Sequence, residues 1–342
     1  MEPIKLGIIG LGRAGRGMHL KELAGKEDMY KIVAVCDLIE ERRNEVAAQF
    51  GCKAYENMDD LINDPEVELV DIATRSCDHY AHAKKALLAG KNVFLEKPMS
   101  MEAEEAEELA RLGASYPRLY IRHNRRWEGK FTQINEIIDS GILGDIYEVK
   151  LTRNSFQVRN DWQTISEFGG GQLLNWGPHI VDHALRFCGD HYKDMMAQTR
   201  QINASGDCED VINVSFKGIN NRIVNMEIVC AAALDTPQYI VYGNRGALID
   251  KGKTLALKYV KPGVVIPKKA PDAGTPMGGF GAPPEIEWIE EEIPARKDER
   301  LDQTWGAIYD EIRNGKPYLI KLDEAVEVIR TICAIREQAA ID

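Results

Sequence analysis

The sequence predicts an α/β domain with a parallel sheet, followed by an α+β domain with a mostly antiparallel sheet. With 342 residues the chain exceeds the roughly 250 residues at which single hydrophobic cores stop growing, so two domains are expected. Short apolar runs alternate with helical patterns in the first third, which is typical of βαβ units. From residue 146 to about residue 259 the pattern is that of successive antiparallel strands. We place the domain boundary between residues 1–122 and residues 123–342.

The first domain is predicted to contain four strands, at residues 5–9, 32–36, 69–72 and 92–95. A helix at about residues 79–89 has Gly90 just past its end. Another helix follows Ser100, where three glutamates suit the positive end of the helix dipole. Beyond the domain boundary, a third helix runs from about residue 129 to Ser140. Strands that alternate with helices in this way favour a parallel sheet.

The second domain is predicted to be a meander of antiparallel strands. Its clearest hairpin pairs residues 211–216 with residues 223–228 across a turn at 218–221. One helix interrupts the strands near Pro178, and two helices, at residues 301–313 and 323–339, finish the chain. Residues 261–284 are rich in proline and glycine, which is typical of a long loop with a functional, oligomeric or mobile role.

The overall composition favours a cytoplasmic protein that acts on small molecules. A net charge of −11 disfavours nucleic acid and anionic membrane surfaces as partners, and no apolar run approaches the ~20 residues of a membrane span. The N-terminus continues directly into a strand without the pattern of an export signal. Seven cysteines without a C-x-x-C pair argue against a disulfide framework or a zinc knuckle.

The strongest local motif is the glycine-rich run Gly10-Leu11-Gly12-Arg13-Ala14-Gly15. It follows an apolar strand and precedes a helix, which is the context of a Rossmann dinucleotide-binding loop. We expect Gly10 to permit a tight turn, Gly12 to let the backbone approach a pyrophosphate, and Gly15 to let the helix pack close to the strand. We expect Arg13 and Ala14 to contact the cofactor with them.

Asp37 ends the second strand and favours NAD over NADP. A carboxylate there can accept hydrogen bonds from the ribose hydroxyls and would repel a 2′-phosphate. Arg42 and Arg43 lie one turn further on and leave NADP open. The alternative is that Asp37 only starts the following turn.

Two further positions carry candidate chemistry. Lys97 stands before Pro98 at the carboxyl end of a predicted strand, the edge of an open α/β sheet where ligands bind, although a surface lysine would give the same pattern. His179 falls in the first turn of the helix near Pro178, where the helix dipole disfavours protonation. His179 and His183 are spaced as metal ligands could be, but no H-E-x-x-H motif or third ligand accompanies them, so we predict no metal site.

Taken together, these motifs resemble those of the Gfo/Idh/MocA oxidoreductase family. The resemblance rests on the glycine-rich loop, His79, the run Glu96-Lys97-Pro98, the run Asn124-Arg125-Arg126-Trp127, and the triple glycine that leads to His179 and Asp182. It covers nearly the whole chain. It implies an N-terminal Rossmann domain and a C-terminal domain with an open-faced, mostly antiparallel sheet that contacts substrate and other subunits.

The resemblance also implies roles for individual residues. Lys97 would lie beside the nicotinamide and the reacting hydroxyl, and His179 would be the acid or base. Substrate contacts would come from Asn124, Arg125 and Asp182, and further cofactor contacts from Thr74, His79, Glu96 and Trp162. The chain departs from the family at Asn175, where dehydrogenases commonly carry aspartate; we include Asn175 in the catalytic group, although an amide cannot relay a proton.

Three functions are compatible with these residues. The first is an NAD-dependent dehydrogenase or reductase that acts on a sugar, polyol or related compound. The second uses the same groups for a transient redox step, and cleaves glycosides or epimerises sugars without net cofactor turnover. The third is a non-catalytic NAD-binding regulator. An exposed sheet face is usually buried by symmetric pairing, so we expect a homodimer or homotetramer.

Overall fold

A computed structural model describes residues 2–268, 270, 271, 273, 274, 286–298 and 301–339. The predicted loop at residues 261–284 lies partly outside the described residues, because residues 269, 272 and 275–284 are not among them. In the described part of the chain, no helix has the combination of length and apolar sequence needed to cross a membrane.

The first sheet has six parallel strands, in the order β3-β2-β1-β4-β5-β6. The strands are β1 (Ile4–Ile9), β2 (Tyr30–Cys36), β3 (Lys53–Tyr55), β4 (Leu69–Ile72), β5 (Asn92–Leu95) and β6 (Leu119–Ile121). They alternate with the helices α1 (Leu20–Leu23), α2 (Glu40–Phe50), α3 (Met58–Asn63), α4 (His79–Leu88) and α5 (Ala103–Gly113). The order of strands reverses between β1 and β4, so a crevice opens there at the carboxyl edge of the sheet, as in a Rossmann fold.

The second sheet has eight strands in the order β14-β13-β12-β11-β7-β10-β9-β8. These strands are β7 (Ile146–Asn154), β8 (Tyr192–Arg200), β9 (Val211–Gly218), β10 (Ile223–Val229), β11 (Tyr239–Gly243), β12 (Gly246–Asp250), β13 (Thr254–Val260) and β14 (Trp288–Pro294). The predicted hairpin is confirmed as β9 and β10. The predicted meander was wrong at one strand, because β7 lies in the middle of the sheet and pairs in parallel with β10. A parallel pair needs a crossover connection, and the helices between β7 and β8 provide part of it.

Five helices surround the second sheet or join it to the first. They are α6 (Gly129–Asp139), α7 (Gln172–Asn175), α8 (Gly177–Phe187), α9 (Gln303–Asn314) and α10 (Leu322–Gln338). Every residue of α8 except Arg186 is buried. Helix α10 packs against both α8 and α5, and α9 packs its Trp305 against the first sheet. The predicted boundary at residue 122 falls between the two sheets. One cluster of buried apolar side chains includes residues from both sheets, so the two halves do not have separate cores, and the domain boundary stays a prediction.

Candidate active site

The glycine-rich loop follows β1, and at two of its three glycines, Gly10 and Gly15, a side chain would collide with neighbouring backbone atoms. Gly10 has φ +93°, and a Cβ atom there would lie 2.6 Å from the carbonyl oxygen of Ala73. A Cβ atom at Gly15 would lie 2.0 Å from the carbonyl oxygen of Gly10, so the helix can start this close to β1 only without a side chain. At Gly12 a Cβ atom would meet no heavy atom within 4 Å of the described structure, so this position faces open space.

The loop backbone offers hydrogen-bond donors to an anion. Within the described residues, nothing accepts a hydrogen bond from the N–H groups of Gly12, Arg13 and Ala14. A π-helical turn (Gly15–His19) and the short α1 follow, and the side chain of Arg13 is exposed. Backbone N–H groups at the start of a helix favour phosphate groups. The loop therefore fits the pyrophosphate of a dinucleotide.

Asp37 ties the glycine-rich loop to the end of β2. Its Oδ2 accepts a hydrogen bond from the N–H of Leu11 at 2.7 Å, and its Oδ1 accepts one from the N–H of Ile39 at 2.8 Å. Asp37 thus starts the following turn, and each oxygen keeps a lone pair for another donor. The Arg43 guanidinium lies close by and donates to the carbonyl oxygen of Asp37 at 3.2 Å. Acidic and basic groups both border this edge, so the choice between NAD and NADP stays a prediction.

Lys97 lies at the end of β5, where a cis peptide bond joins it to Pro98. Its Nζ donates to the carbonyl oxygen of Asn175 at 2.7 Å and to the Oδ1 of Asn175 at 3.4 Å. Burial lowers the pKa of Lys97 to about 8; Glu96 opposes this effect, and the positive charges of nearby arginines reinforce it. The carbonyl oxygen of Asn175 therefore holds the ammonium group of Lys97 at the carboxyl edge of the sheet, and its pKa of about 8 lets it exchange a proton near neutral pH.

The departure at Asn175 places an amide against this lysine. Asn175 ends α7, and its Oδ1 also accepts a hydrogen bond from the Nε2 of Gln163 at 3.3 Å. Gln163 belongs to the 3-10 turn Trp162–Thr164, so the half-buried Trp162 lies in a segment that borders Asn175. The contact of Trp162 with a nicotinamide stays a prediction.

His179 is buried in the first turn of α8, with its ring near those of Trp176 and His123. The ring centroids are 5.9 Å and 6.5 Å away, respectively. Burial lowers the pKa of His179 well below its usual value, and the positive charge of Lys97 lowers it further. Burial and nearby cations thus favour the neutral imidazole, in the same direction as the effect expected from the helix dipole.

The region around His179 contains buried polar atoms without partners. The Nδ1 of His179, both ring nitrogens of His123 and the Oδ1 of Asn124 accept or donate no hydrogen bond to any described residue. Leaving such atoms unpaired costs about 1–3 kcal/mol each, so their concentration indicates a site for a ligand or water. His123 directly precedes the Asn124–Trp127 run and was not among the predicted site residues.

Arg125 is close to His179 and partly exposed. Its guanidinium lies 5.1 Å from the ring centroid of Trp176 and 3.4 Å from the Oε2 of Glu128. The charge of Arg125 contributes to the low pKa values of both Lys97 and His179. This position is compatible with the predicted substrate contact.

Asp182 does not have the predicted freedom to contact a substrate. Its Oδ2 and Oδ1 accept hydrogen bonds from the Nε and Nη2 of Arg126 at 2.5 Å and 2.7 Å, and its side chain is buried. Burial opposes ionisation, but Arg126 lowers the pKa of Asp182 to about 2. Arg126 also pairs with Glu324 at 2.9 Å. This ion pair joins α8 to the turn at residues 124–127 and to α10, and the substrate contact of Asp182 stays a prediction.

His79 is buried and bonded to the protein rather than open to a cofactor. Its Nδ1 lies 2.7 Å from the carbonyl oxygen of Pro98, and its Nε2 lies 3.3 Å from that of Thr74. Burial lowers the pKa of His79, so the neutral ring donates one hydrogen bond, and the shorter contact identifies the acceptor as Pro98. The cofactor contact of His79 stays a prediction. Thr74 itself is half-buried after β4 and stays a predicted cofactor contact.

Glu96 belongs to a buried charge network behind Lys97. Its Oε1 accepts hydrogen bonds from the Nε2 of His19 at 2.9 Å and from the Nη1 of Arg122 at 3.0 Å, and the Nδ1 of His19 donates to the Oδ2 of Asp71 at 2.7 Å. The carboxylate of Glu96 is thus hydrogen-bonded within the protein, and its contact with a cofactor stays a prediction. The sequence offered one signal for this network, an aspartate inside the apolar strand β4.

Two family models match the chain. The model described as an oxidoreductase family with an NAD-binding Rossmann fold matches residues 4–122. The model described as the GFO/IDH/MocA C-terminal domain matches residues 131–249. Together the two ranges include more than half of the 342 residues.

Curated proteins and solved structures agree with these models. The chain is 32% identical over 255 residues to inositol 2-dehydrogenase/D-chiro-inositol 3-dehydrogenase of Lactiplantibacillus plantarum, with 71% of this chain and 70% of the relative covered. It is 29% identical over 260 residues to scyllo-inositol 2-dehydrogenase (NADP(+)) IolW of Bacillus subtilis, with 74% and 70% covered. The crystal structure of an NAD-binding protein from Listeria innocua has the same fold, with a TM-score of 0.85, 24% identity, and coverage of 99% of this chain and 98% of that one.

Proposed function

This chain belongs to the GFO/IDH/MocA family of NAD-binding oxidoreductases, and from that premise we propose that it is an NAD-dependent dehydrogenase. It transfers a hydride between nicotinamide and a secondary hydroxyl or ketone of a sugar, polyol or related compound. The observation that carries this proposal is the convergence of Lys97 and His179 at the carboxyl edge of the parallel sheet, next to the glycine-rich loop. The inositol dehydrogenases among the relatives support the class of substrate.

The residues that would hold the cofactor are those of the loop from Gly10 to Gly15 together with Asp37. NAD supplies the acceptor for the hydride when it is bound. The open side of Gly12 and the unpaired N–H groups of Gly12, Arg13 and Ala14 suit the pyrophosphate. Asp37 keeps one lone pair on each oxygen for ribose hydroxyls, which supports NAD rather than NADP.

Lys97 and His179 divide the proton chemistry. A secondary alcohol releases a hydride only if its O–H proton is also removed, and a group with a pKa near the working pH does this best. Lys97, with a pKa of about 8, meets that requirement, and its ammonium form stabilises an alkoxide. His179 is neutral, so the N–H of its ring can donate a hydrogen bond to the reacting oxygen while Lys97 takes the proton. Asn175 orients Lys97 through its backbone carbonyl, so the amide at this position leaves that contact intact.

The test is net NADH formation from NAD with a panel of polyols and sugars. We expect turnover with at least one compound, and Lys97→Ala to lower kcat by about 10²–10⁴-fold. Lys193→Ala, at an exposed position on β8, is the matched control and should retain activity. Product formation without lasting NADH would instead identify a transient redox reaction. NAD binding without turnover by the wild-type protein would identify a regulator.

The sequence-based expectations of a cytoplasmic location and of a homodimer or homotetramer belong to the same proposal. The second sheet leaves Ile223 and Ile249 partly exposed, which supports pairing between copies of the chain.

A further inference from the structure

Two guanidinium groups lie on one aromatic ring beside the proposed catalytic pair. The Cζ of Arg153, near the end of β7, is 3.9 Å from the ring centroid of Trp176, and that of Arg125 is 5.1 Å from the same centroid. Trp176 follows Asn175, whose carbonyl oxygen holds the Nζ of Lys97 at 2.7 Å. Three positive side chains therefore contact the adjacent residues Asn175 and Trp176.

Of the two guanidinium groups, Arg125 forms ion pairs with acidic residues in the described part of the chain and Arg153 forms none. Arg125 has carboxylate oxygens of Glu128 and Asp298 at 3.4 Å and 3.9 Å. Within the described residues, no carboxylate lies within ion-pair distance of Arg153. Arg153 is exposed to solvent, and partial burial together with the like charge of Arg125 lowers its pKa, whereas Glu128 raises it. Stacking on Trp176 holds Arg153 in place despite this repulsion.

We propose that the substrate is an anionic carbohydrate whose carboxylate or phosphate binds Arg153 and Arg125 while its hydroxyl contacts Lys97 and His179. The planar guanidinium fork matches the geometry of both oxyanions, and an anion between the two arginines removes their mutual repulsion. This inference rests on the proposed dehydrogenase function and narrows its substrate class. A neutral polyol would leave Arg153 without an ionic partner.

The test measures binding separately from turnover. Isothermal titration calorimetry of the NAD-loaded protein compares matched sets of ligands: D-glucose, D-glucuronate and D-glucose 6-phosphate, with the galacto and manno counterparts of each. We expect at least one anionic member to bind about tenfold or more tightly than its neutral partner, and its affinity to fall as salt is added. Whether the uronate or the phosphate is preferred identifies the anionic group.

Arg153→Gln should reduce the ratio of anionic to neutral affinity about tenfold. The matched control is Arg200→Gln, at an exposed position on β8, three strands from β7 and so roughly 14 Å away, which should preserve the ratio. The inference is wrong if no anionic member binds more tightly than its neutral partner, or if Arg153→Gln leaves the ratio unchanged. If anionic ligands bind through Arg153 but produce no NADH, the proposed dehydrogenase function fails while the substrate class stands. If only neutral compounds produce NADH, the dehydrogenase function stands and the proposed anionic substrate class fails.

Discussion

The ammonium group of Lys97 and the imidazole of His179 have both shifted toward their neutral forms, but to different extents. Burial brings the pKa of Lys97 down to about 8, whereas His179, which is also buried and lies near Lys97 and Arg125, falls well below its usual value. A group whose pKa is near the pH of the reaction moves a proton most efficiently. Lys97 is therefore the better candidate for the base in alcohol oxidation.

This assignment predicts the pH dependence of oxidation. The neutral amine of Lys97 must accept the proton, so kcat should rise about tenfold per pH unit below the pKa and level off above about 8. The reverse reduction needs the ammonium form, so its kcat should be constant below about pH 8 and fall about tenfold per pH unit above it. Initial rates of oxidation and reduction, measured between about pH 6 and about pH 10, give the two profiles. This range extends about two pH units on either side of the pKa of Lys97.

Lys97→Arg provides the discriminating variant for this profile. Arginine keeps the positive charge but cannot deprotonate, so kcat for oxidation should fall and the break near pH 8 should disappear. If the wild-type profile breaks only below pH 6.5 and Lys97→Arg keeps that break, His179 is the base and the assignment to Lys97 is incorrect.

Asp37 predicts the choice of cofactor. Its carboxylate would repel a 2′-phosphate, so kcat/KM should be higher with NAD than with NADP, and Asp37→Asn should lower that ratio about tenfold. Asparagine keeps an acceptor for the N–H of Leu11 or Ile39, which limits structural damage. Asp60→Asn, in α3, is the control. Equal use of both cofactors by the wild-type protein would show that Arg42 and Arg43 neutralise the carboxylate.

The local sequence predicted those site residues whose role follows from the conformation of their own segment. It did not predict the side-chain contacts between segments that are distant in sequence. Gly10 and Gly15 follow from loop geometry, and Lys97 follows from its position at the end of a strand. The partner of Asp182 could not be predicted in the same way, because Arg126 comes from another element 56 residues away. His123 was missed because nothing in its neighbourhood along the chain indicates that both ring nitrogens are buried without partners.

At the scale of elements, the buried network behind Lys97 joins the helical turn after the glycine-rich loop to the ends of two strands. His19 from that turn lies between Asp71 of β4 and Glu96 after β5. Burial alone would lower the pKa of His19, but the two carboxylates raise it to about 9. The imidazolium thus holds together the edge of the sheet from which Lys97 projects.

This network predicts a stability difference that depends on pH. The pKa of His19 in the folded protein, about 9, is above the unfolded value of 6.5, so its contribution is complete below pH 6.5 and disappears as the pH rises through 9. Relative to His19→Gln, the wild-type free energy of unfolding should be higher by about 1–3 kcal/mol at pH 6 and by much less at pH 9.5. Urea denaturation of both proteins at the two pH values gives the difference.

The control for this experiment is His191→Gln, because His191 is exposed and pairs with Glu327 at 3.3 Å. An exposed pair of this kind should change stability by less than about 1 kcal/mol. A difference between wild type and His19→Gln that stays constant from pH 6 to pH 9.5 would show that His19 is neutral in the folded protein. A neutral His19 can donate to only one of Asp71 and Glu96, so one of these two carboxyl groups would then have to carry the proton.

The elements that the sequence predicted well are those with a clear apolar period. Strands β4 and β5 have the predicted bounds, and α8 begins one residue before Pro178. Strand β14 was missed because most of its residues are exposed, which removes the alternation that marks a strand. The position of β7 between β11 and β10 depends on pairing across more than 70 residues, which no local pattern specifies.

At the scale of the whole molecule, the C-terminal helices complete the N-terminal sheet. Trp305 of α9 is fully buried, and its ring contacts those of Phe94 and Tyr30 at centroid distances of 4.7 Å and 5.3 Å. Its Nε1 donates to the Oε2 of Glu22 at 2.9 Å. The first sheet therefore owes part of its core to residues that follow the second sheet, and the two halves should lose structure together.

Trp305→Ala tests this coupling. Truncating a fully buried tryptophan typically costs about 3–5 kcal/mol, so we expect a loss of that size in the free energy of unfolding. The truncation also removes the hydrogen bond to the Oε2 of Glu22, whose Oε1 keeps its pair with Arg122. Hydrogen exchange should accelerate first at the amides of β2 and β5, although the substitution lies more than 200 residues from both strands in sequence. Trp288→Ala is the matched control, because Trp288 is 44% exposed on β14 and should cost less than about 1 kcal/mol. Equal losses for the two variants, or faster exchange confined to α9, would mean that the N-terminal sheet is stable without the C-terminal helix, as an independent domain ending at residue 122 requires.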